Sequence, residues 1–571
     1  MKTNITLKGM ALATGLALAL SAAGVANANL TMPYGSGTTT YSVMNVGSAA
    51  ATVVATYYNP DGTTPPGSGS SHNLPVNGRL DITAGQSPDG PLPTNWSGSV
   101  VLSSDQDIVA VARTKYTGRP NAYENNPGQT PGTESSAYEA FNSGSTSLYF
   151  PIIVRVKRAA DPTVAQLTTR FTVQNTSASP ATVYLNFRNF DNTTYAPVIV
   201  TLNGYGSKTW DTAVDADLPP GLNLTPNVIQ LSILVTGTQP LVGVAEQSWN
   251  VDTTIGTTPV RQNWAADYAA IPASEATTTL YAPLVARVGA PSGGSRPCTF
   301  NLYPSFAFFT QYAVQNTTAT TATVTAQFIR SNSGTGVNLP SGLATYSVSV
   351  QIPPFGTWNV NMFNGGNLGY GQINSAFWSA FADDYDAMTG AATRCNWSGA
   401  VVFTSDQPVV GFGFIQQPQS FQNYASAFNF FGASGATSTA LLPRVDRVCS
   451  DPSCDGDFTQ VQLFPDFSSL TVQNVGSANT NLTVTFYNPN GTVNQTFTVD
   501  GASNPITLAP GQQYTFNTRN GANASITQTQ ALGITFKGTV RVTASGGVPI
   551  RIFNNLLSGL DDADAYVGFN R

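Results

Sequence analysis

Ionisable side chains are scarce in this 571-residue chain. Asp, Glu, Lys and Arg make up 9% of it, against about 25% in an ordinary globular protein. The formal net charge is −6, and no run or stripe of basic residues occurs. Binding of nucleic acid requires clustered Lys and Arg to neutralise phosphates, so the sequence excludes that class of function. The single histidine excludes a metal centre built from several imidazoles.

Long apolar runs are missing as well. The short stretch Met10–Leu20 follows two lysines, and small residues at 26–28 resemble a cleavage site. This arrangement predicts a secretory signal peptide over residues 1–28. The apolar stretch is shorter than the ~20 residues that a membrane span needs. We therefore expect a secreted protein, extracellular or on the cell surface, with no membrane span and a net charge of 22 − 30 = −8.

Cysteine is also rare. Disulfides persist in exported proteins, so we expect the four cysteines to be paired. Cys449 and Cys454 could close a small loop in "CSDPSC", which would leave Cys298 and Cys395 as the second pair. Four cysteines allow three pairings, and the sequence does not decide among them. A zinc site is the weaker alternative, because Cys-x4-Cys without a nearby histidine is a poor zinc pattern.

What the chain does contain is an internal repeat. The segment "FTVQNTSASPATVYLNF" has counterparts in "YSVMNVGSAAATVVATY", "YAVQNTTATTATVTAQF" and "LTVQNVGSANTNLTVTF". Its asparagine recurs as Asn45, Asn175, Asn316 and Asn474, at intervals of 130, 141 and 158 residues (175 − 45, 316 − 175 and 474 − 316). Such intervals are typical of whole domains. Alternating apolar residues on both sides of a small polar turn predict a β-hairpin.

Three other segments recur in the same order. They are a glycine-centred turn before a strand, a "WSGSVVLSSDQDIVAVA" segment that we interpret as a second hairpin, and an Ala/aromatic strand such as "SAYEAFN". A strand such as "LYFPIIVR" follows the first three copies. About seven short strands in each copy predict an all-β protein of four tandem Ig-like, Greek-key β-sandwiches. The predicted limits are 29–144, 145–276, 277–436 and 437–571, with one short helix within "INSAFWSAFADDYDAM" of the third.

The motifs "TVQNT", "SDQPVV" and "LYxPLV" resemble those of uncharacterised secreted bacterial repeat proteins built from consecutive β-sandwich modules. The resemblance covers nearly the whole mature chain and rests on strand and turn signatures. It implies an extracellular location and supplies no catalytic residue. The first repeat departs from the pattern, since "LTMPYGS" is a weaker form of the "LYFPIIVR" strand.

Residues suited to catalysis or metal binding are few. His72 lies in a Gly/Ser-rich stretch without orienting neighbours, so we interpret it as a solvated loop residue. Three acidic clusters could hold structural calcium, although none has the spacing of a known calcium loop; otherwise we expect no cofactor. The clusters are Asp383, Asp384 and Asp386; Asp451, Asp455 and Asp457; and Asp561, Asp562 and Asp564.

Aromatic residues recur at equivalent strand positions. Trp96 matches Trp397, and Trp210 matches Trp358. This recurrence favours core aromatics over a platform for stacking sugars. Glycosidases require a pair of carboxylates. No such pair recurs in a consistent context in the four repeats, so we expect no enzymatic activity.

The composition favours a structural protein of the cell surface. Low charge and rigid tandem modules suit a subunit of a layer, sheath or filament that associates with itself. The N-terminal strand, Leu30, Met32 and Tyr34, begins where a "LYFP" strand should lie, and the chain stops at Tyr566 and Phe569, where the next such strand should follow. This pattern predicts head-to-tail strand addition between subunits; pairing of the N-terminus within its own repeat is the alternative. An adhesin or carbohydrate-binding protein, using the inserts of repeats three and four, is the second functional class.

Overall fold

The computed structural model describes most of the chain. The described residues are 18–22, 36–93, 96–117, 134–157, 165–189, 192–255, 258–289, 306–331, 345–362, 396–419, 422–451, 464–499, 503–519, 531–557 and 563–571. Within them the fold is all-β, as predicted, with antiparallel sheets in separate sandwich domains. The helical segments are 3-10 turns at Asp215–Asp217, Ala273–Glu275 and Ser545–Gly547. None of the described helices is long and apolar enough to cross a membrane.

The first sandwich has eight strands: β1 (Leu18–Ala22), β2 (Ser36–Asn45), β3 (Ala51–Tyr58), β4 (Ser70–Leu74), β5 (Arg79–Thr83), β6 (Gly98–Ser104), β7 (Ile108–Thr117) and β8 (Glu134–Glu139). Its two sheets have the strand orders β1-β6-β3-β4 and β5-β2-β7-β8. Alternate residues of β3 are buried, which places Val53 and Tyr57 in the core between the sheets. β1 falls within the predicted signal peptide.

The second sandwich contains a strand that runs through both layers. Its strands are β9 (Ser145–Lys157), β10 (Ala165–Asn175), β11 (Ala181–Asn189), β12 (Val198–Leu202), β13 (Ser207–Asp211), β14 (Val228–Ile255), β15 (Thr258–Ala269) and β16 (Ile271–Pro272). The first part of β14 pairs with β9 and β11, and its second part pairs with β10 and β15. One continuous strand therefore links the two layers.

The third sandwich repeats this plan. Its strands are β17 (Thr277–Gly289), β18 (Phe306–Asn316), β19 (Ala322–Arg330), β20 (Thr345–Ile352), β21 (Thr357–Asn361), β22 (Asn396–Gln419), β23 (Gln422–Asn429) and β24 (Phe431–Gly432). β22 takes the place of β14: it pairs with β17 and β19 in one layer and with β18 and β23 in the other. The helix predicted in this repeat lies outside the described residues.

The fourth sandwich has ten strands: β25 (Thr439–Val448), β26 (Asp466–Asn474), β27 (Thr480–Tyr487), β28 (Val493–Phe497), β29 (Thr507–Leu508), β30 (Gln513–Asn517), β31 (Thr535–Ala544), β32 (Ile550–Leu557), β33 (Ala563–Val567) and β34 (Phe569–Asn570). Its last strand pairs with its first, since Phe569 lies opposite Leu441. β16 and β24 close the second and third sandwiches in the same way, against β9 and β17.

The repeated asparagine lies in an arch, which is a connection between two strands that belong to different sheets. The strands on either side of it do not form the predicted hairpin: β2 pairs with β5 and β7, whereas β3 pairs with β4 and β6. The chain thus passes from one sheet to the other at Asn45, and the hairpin prediction is wrong for this segment. Period-two alternation is the same in a hairpin and in an arch between layers, so the sequence pattern did not distinguish them.

The second predicted hairpin is also a crossing between layers. β6 pairs with β1 and β3, and β7 pairs with β2 and β8. The Asp105 carboxylate accepts a hydrogen bond from the Thr52 N–H at 2.7 Å, and Asp406 does the same for Thr323 at 2.8 Å. These aspartates therefore tie the crossing to a strand that is distant in sequence.

Candidate functional site

The four Ala/aromatic strands meet in the interior of the molecule. We call β8, β15, β23 and β33 the central strands. Each lies against the next in sequence, and β33 lies against β8. The four sandwiches therefore form a closed circuit, and we call each contact between neighbouring sandwiches a seam. Seams 1/2, 2/3 and 3/4 join sandwiches that are consecutive in the chain, and seam 4/1 joins the last sandwich to the first.

Each sandwich completes the core of its predecessor. At one equivalent position, four residues enter the neighbouring core: Val244 enters that of sandwich 1, Phe412 that of sandwich 2, Phe553 that of sandwich 3 and Val111 that of sandwich 4. The two phenylalanines pack on aromatic residues of the central strands. Phe412 stacks on Tyr268 with ring centroids 4.5 Å apart, and Phe553 contacts Phe428 at 4.4 Å.

A carboxyl group lies where all four central strands meet. The Asn429 amide donates to Oε1 of Glu139 at 3.2 Å and to the carbonyl of Ala269 at 2.9 Å. The N–H of Val567 also donates to the Glu139 carboxylate. One residue from each sandwich therefore takes part in this junction.

The surroundings of Glu139 change its acidity. Burial and, less strongly, the charge of Glu275 raise its pKa, whereas hydrogen bonds from its own backbone N–H, from Val567 and from Asn429 lower it, and the net pKa is about 7. The junction therefore exchanges a proton close to neutral pH. This is the chemistry that the geometry offers at the centre of the molecule.

The first strand of a sandwich also contacts the next sandwich. Tyr149 of β9 donates its hydroxyl proton to the carbonyl of Thr317 at 3.3 Å, and Tyr281 of β17 donates to that of Val475 at 3.1 Å. Both acceptors directly follow the repeated asparagine. At seam 4/1 the equivalent residue, Leu441, packs in an apolar cluster that includes Val46. The contact between the first strand and the residue after the repeated asparagine thus recurs at seam 4/1, where Leu441 and Val46 replace the hydrogen bond with an apolar contact.

Ion pairs join the two sandwiches across seam 4/1. Arg79 pairs with Asp446 at 2.5 Å, and Arg113 pairs with Asp564 and, at 2.9 Å, with Asp466. Lys115 lies 3.4 Å from the Asp466 carboxylate. Sandwich 1 supplies the cations and sandwich 4 the carboxylates in all of these pairs.

The buried charges of this seam hold one another ionised. Burial raises the pKa of the Asp446 carboxyl, but the charges of Arg444 and Arg79 outweigh it and hold that pKa well below its usual range. For Asp466, the charges of Arg113 and Lys115 outweigh burial in the same direction. The seam therefore depends on ionised carboxylates.

Seam 1/2 has a different polar arrangement. Tyr116 donates to the Glu246 carboxylate at 2.5 Å, and Ser136 donates to Asp267 at 2.7 Å. Burial and the charge of Glu246 raise the pKa of Asp267. Neutral donors of sandwich 1 thus meet acidic groups of sandwich 2.

The lone histidine is not a solvated loop residue, and that interpretation is wrong. His72 lies half-buried in β4, and its Nε2 is 2.5 Å from the Ser70 hydroxyl and 3.2 Å from Asp89. Ser70 also donates to the same oxygen of Asp89. In a Ser-His-Asp triad the two imidazole nitrogens bind different partners, whereas here one nitrogen faces both. The cluster ties the loop of Asp89 to β4 and does not activate the serine.

Of the residues predicted for strand addition and disulfides, the structure describes Tyr566, on the central strand β33, together with Phe569 and Cys449. Tyr566 is buried and donates to the carbonyl of Arg444, and Phe569 pairs with β25. Cys449 is in a disulfide whose partner lies outside the described residues. Predicted residues outside the described stretches are Leu30, Met32, Tyr34, Cys298, Cys395, Cys454, Asp383, Asp384, Asp386, Asp455, Asp457, Asp561 and Asp562.

Three acidic clusters were candidates for structural calcium, although no metal site was predicted. Of their members, Asp451 and Asp564 are described, and Asp564 pairs with Arg113. No group of three or more His, Cys, Asp or Glu that could hold a metal occurs in the described part of the chain. The prediction of core tryptophans is confirmed for Trp210, Trp358 and Trp397, which are fully buried. Trp96 is partly buried and donates to Asn59 at 2.8 Å.

The repeat pattern did not indicate the residues of seam 4/1. Arg79, Arg113 and Asp446 stand in alternating strand segments, where a charge in so uncharged a chain is unexpected. Fully buried Arg and Asp are almost always paired. That signal could have identified them as candidates for an interface, although not their partners.

Comparison with known proteins gives no family. No protein-family model matches the sequence, and a search of curated proteins finds no match. Three solved structures illustrate the likenesses found. "Thermotoga maritima 1070" has 17% identity over 21% of this chain and 92% of its own, with a TM-score of 0.14. The BSP domain of a biofilm-associated protein has 9% identity over 93% and 90%, with a TM-score of 0.15. A glycoside hydrolase of family 32 from Bifidobacterium adolescentis has 9% identity over 94% and 99%, with a TM-score of 0.13. At such TM-scores these likenesses carry no inference about function.

Proposed function

We propose that the protein is a non-enzymatic, secreted structural protein, a subunit of a surface layer, sheath or filament. The observation that carries the proposal is the closed circuit of four sandwiches, each completing the core of its neighbour. Such packing makes a rigid block. The side chains most suited to chemistry in the described residues, His72 and Ser70, serve to hold a loop.

Self-association through the N-terminal strand is part of this proposal. In sandwiches 2 to 4 the first strand pairs with the strand equivalent to β6. In sandwich 1 that place beside β6 is taken by β1, which belongs to the predicted signal peptide. Removal of the signal peptide would leave this edge of β6 open to Leu30–Tyr34 of the same chain or another copy. We favour β6 as the acceptor over Phe569, whose backbone already pairs with Leu441.

Electron cryotomography of the native cells tests the proposed function. A regular layer, sheath or filament that disappears when the gene is deleted is the expected result. A protein dispersed on the surface, together with glycan binding that is lost when the inserts of repeats three and four are trimmed, would instead indicate the adhesin class.

Deletion of residues 29–36 tests the role of the N-terminal strand. We expect the truncated protein to lose its ordered assemblies in electron micrographs. Leu30→Asp should have the same effect, because apolar residues alternate along this segment, whereas Thr31→Asp on the opposite strand face serves as the matched control. Normal polymers from the truncated protein would contradict strand addition.

A further inference from the structure

Seam 4/1 has the construction of the other seams but no chain connection. A short segment leads from β8 into β9, from β16 into β17 and from β24 into β25 at the other three. In the described residues, β25 is joined to β2 and β7 by non-covalent contacts. Every contact of this seam can therefore form equally well between sandwich 4 of one copy and sandwich 1 of another.

Apolar side chains also meet at seam 4/1, where Met44, Val46 and Val109 of sandwich 1 form a cluster with Leu441 of sandwich 4. Sandwich 1 adds Val111 and Ala137 to the core cluster of sandwich 4. At the equivalent step, sandwich 4 adds Phe553, Val475, Ala565 and Val567 to the cluster of sandwich 3. An apolar contact of this kind removes the same side chains from water whether the two sandwiches belong to one chain or to two copies.

In the buried ion pairs that Arg79 and Arg113 form across the seam, the cations belong to one sandwich and the carboxylates to the other. Arg79, Arg113 and Lys115 belong to sandwich 1, whereas Asp446 and Asp466 belong to sandwich 4. The two faces are complementary to each other and not to themselves. Such an interface joins copies head to tail, and it gives a closed ring or an open helical filament according to the rotation at each joint.

We propose that seam 4/1 also forms between copies, so that sandwich 4 of one molecule binds sandwich 1 of the next. The partner is a second copy of this chain. In the structure the joint is closed within one chain, and opening of seam 4/1 exposes both of its faces. This inference rests on the proposed structural function and names the surfaces that link its subunits.

Charge exchange between two full-length variants tests the joint. At its centre, Arg79 and Asp81 face Arg444 and Asp446, with no net charge. Arg79→Asp gives this group an excess of two negative charges, and Asp446→Arg gives it an excess of two positive charges. Neither variant can close the seam within its own chain. In a mixture, the negative face on sandwich 1 of Arg79→Asp is complementary in charge to the positive face on sandwich 4 of Asp446→Arg. The two unaltered faces are complementary to each other as well.

Light scattering after gel filtration gives the readout. We expect each variant alone to be monomeric and the mixture to form species of at least twice the monomer mass. The double variant Arg79→Asp/Asp446→Arg is the control for folding, because it can close within one chain and should be a compact monomer. A monomeric mixture beside a compact double variant overturns the proposal.

A second measurement needs no variant. The wild-type protein is opened in acid, at a pH well below 3.8 at which the seam carboxylates are protonated, and is returned to pH 7 at increasing protein concentration. Multimers of whole-number mass whose share grows with concentration support the joint, and a monomer at every concentration overturns it. If ordered layers are present on cells while both tests give monomers, the proposal that seam 4/1 joins copies is wrong and the proposed function stands. If cells carry no ordered assembly, the proposed function itself fails.

Discussion

Asn45, Asn175, Asn316 and Asn474 stabilise four arches through the same hydrogen bonds. Each amide donates to the carbonyl four residues later, at 2.6–2.8 Å, and to a carbonyl at the end of a strand of the other layer, at 2.9–3.1 Å. Each side-chain oxygen accepts from the N–H two residues later. All four residues are fully buried. They supply the partners that an arch lacks when the sheet ladder ends.

Asn316→Ala should therefore destabilise sandwich 3 by about 2–4 kcal/mol, because buried carbonyls lose their donors. Asn316→Asp should be at least as harmful, since a carboxylate cannot donate to those carbonyls. Urea denaturation followed by fluorescence measures the effect. The exposed Thr323, on the adjoining strand, gives the matched control Thr323→Ala, for which a change below about 0.5 kcal/mol is expected. Equal effects of Asn316→Ala and Thr323→Ala would contradict the role of the arch.

Glu139 gives the molecule a dependence on pH near neutrality. Its pKa of about 7 in the folded protein exceeds the ordinary value of 4.5, so the folded state binds this proton more tightly than the unfolded chain does. The stabilising contribution is complete below pH 4.5 and is lost as the pH rises towards 7. We expect Glu139→Gln to raise the melting temperature at pH 8 and to leave it nearly unchanged at pH 4.5.

Glu275→Gln is the matched variant for this prediction. It removes the charge that helps to raise the pKa of Glu139, so the loss of stability should be smaller and should be complete at a lower pH than in the wild type. Thermal denaturation between pH 4.5 and 8 measures both variants against the wild type. A melting temperature of Glu139→Gln that differs from the wild type by the same amount at every pH would show that Glu139 is not the titrating group.

At the scale of elements, sequence alternation predicted the strands but not their partners. The buried pattern of β11, in which Ala181, Val183 and Leu185 point inward, follows directly from the segment "ATVYLNF". That pattern contains no information on whether β11 pairs with β10. Pairing is decided by the backbone at Asn175, whose side chain replaces ladder bonds and leads the chain into the other layer. Fourfold recurrence of an asparagine indicated a local structural role without indicating which one.

The hydroxyl groups of Tyr149 and Tyr281 should stabilise the seams that they cross. Each donates to a carbonyl of the next sandwich, and loss of such a bond costs about 1 kcal/mol. We therefore expect Tyr149→Phe to weaken seam 2/3 and Tyr281→Phe to weaken seam 3/4, each seen as faster amide hydrogen exchange in β9 or β17. The control is Tyr184→Phe, at a tyrosine exposed to solvent on β11. Unchanged exchange in both seam variants would contradict this role.

At the scale of the whole molecule, the sequence predicted four sandwiches but not their closed arrangement. The central strands were recognised as a repeat, yet nothing in "SAYEAFN" or "DAYVGFN" states that β8 and β33 meet. Contacts between residues more than 300 positions apart, such as Arg79 with Asp446, depend on the relative rotation at three other seams. Propensity and periodicity are local properties, and this rotation is not.

Seam 4/1 should open in acid before the sandwiches unfold. The pKa values of Asp446, Asp466 and Asp81 lie below the ordinary value of 3.8 because arginine and lysine charges outweigh burial. Their contribution to stability is therefore complete above pH 3.8 and is lost as the pH falls below it. Small-angle X-ray scattering should give a radius of gyration near 25 Å at pH 7, as for a compact chain of this length, and a larger radius below pH 3.8 while circular dichroism still reports the strands.

Asp446→Asn reproduces this opening at neutral pH, because Arg79 and Arg444 then lose a buried carboxylate partner. Loss of one member of a buried ion pair costs about 3–5 kcal/mol, and this cost falls on seam 4/1. The variant should therefore have the larger radius at pH 7 with an unchanged strand signal. The control is Asp107→Asn, which removes an exposed contact to Arg571 of 3.8 Å at the rim of the same seam and should leave the radius unchanged. If acid expands the molecule only together with loss of the strand signal, the four sandwiches unfold as one unit and seam 4/1 is not its weakest joint.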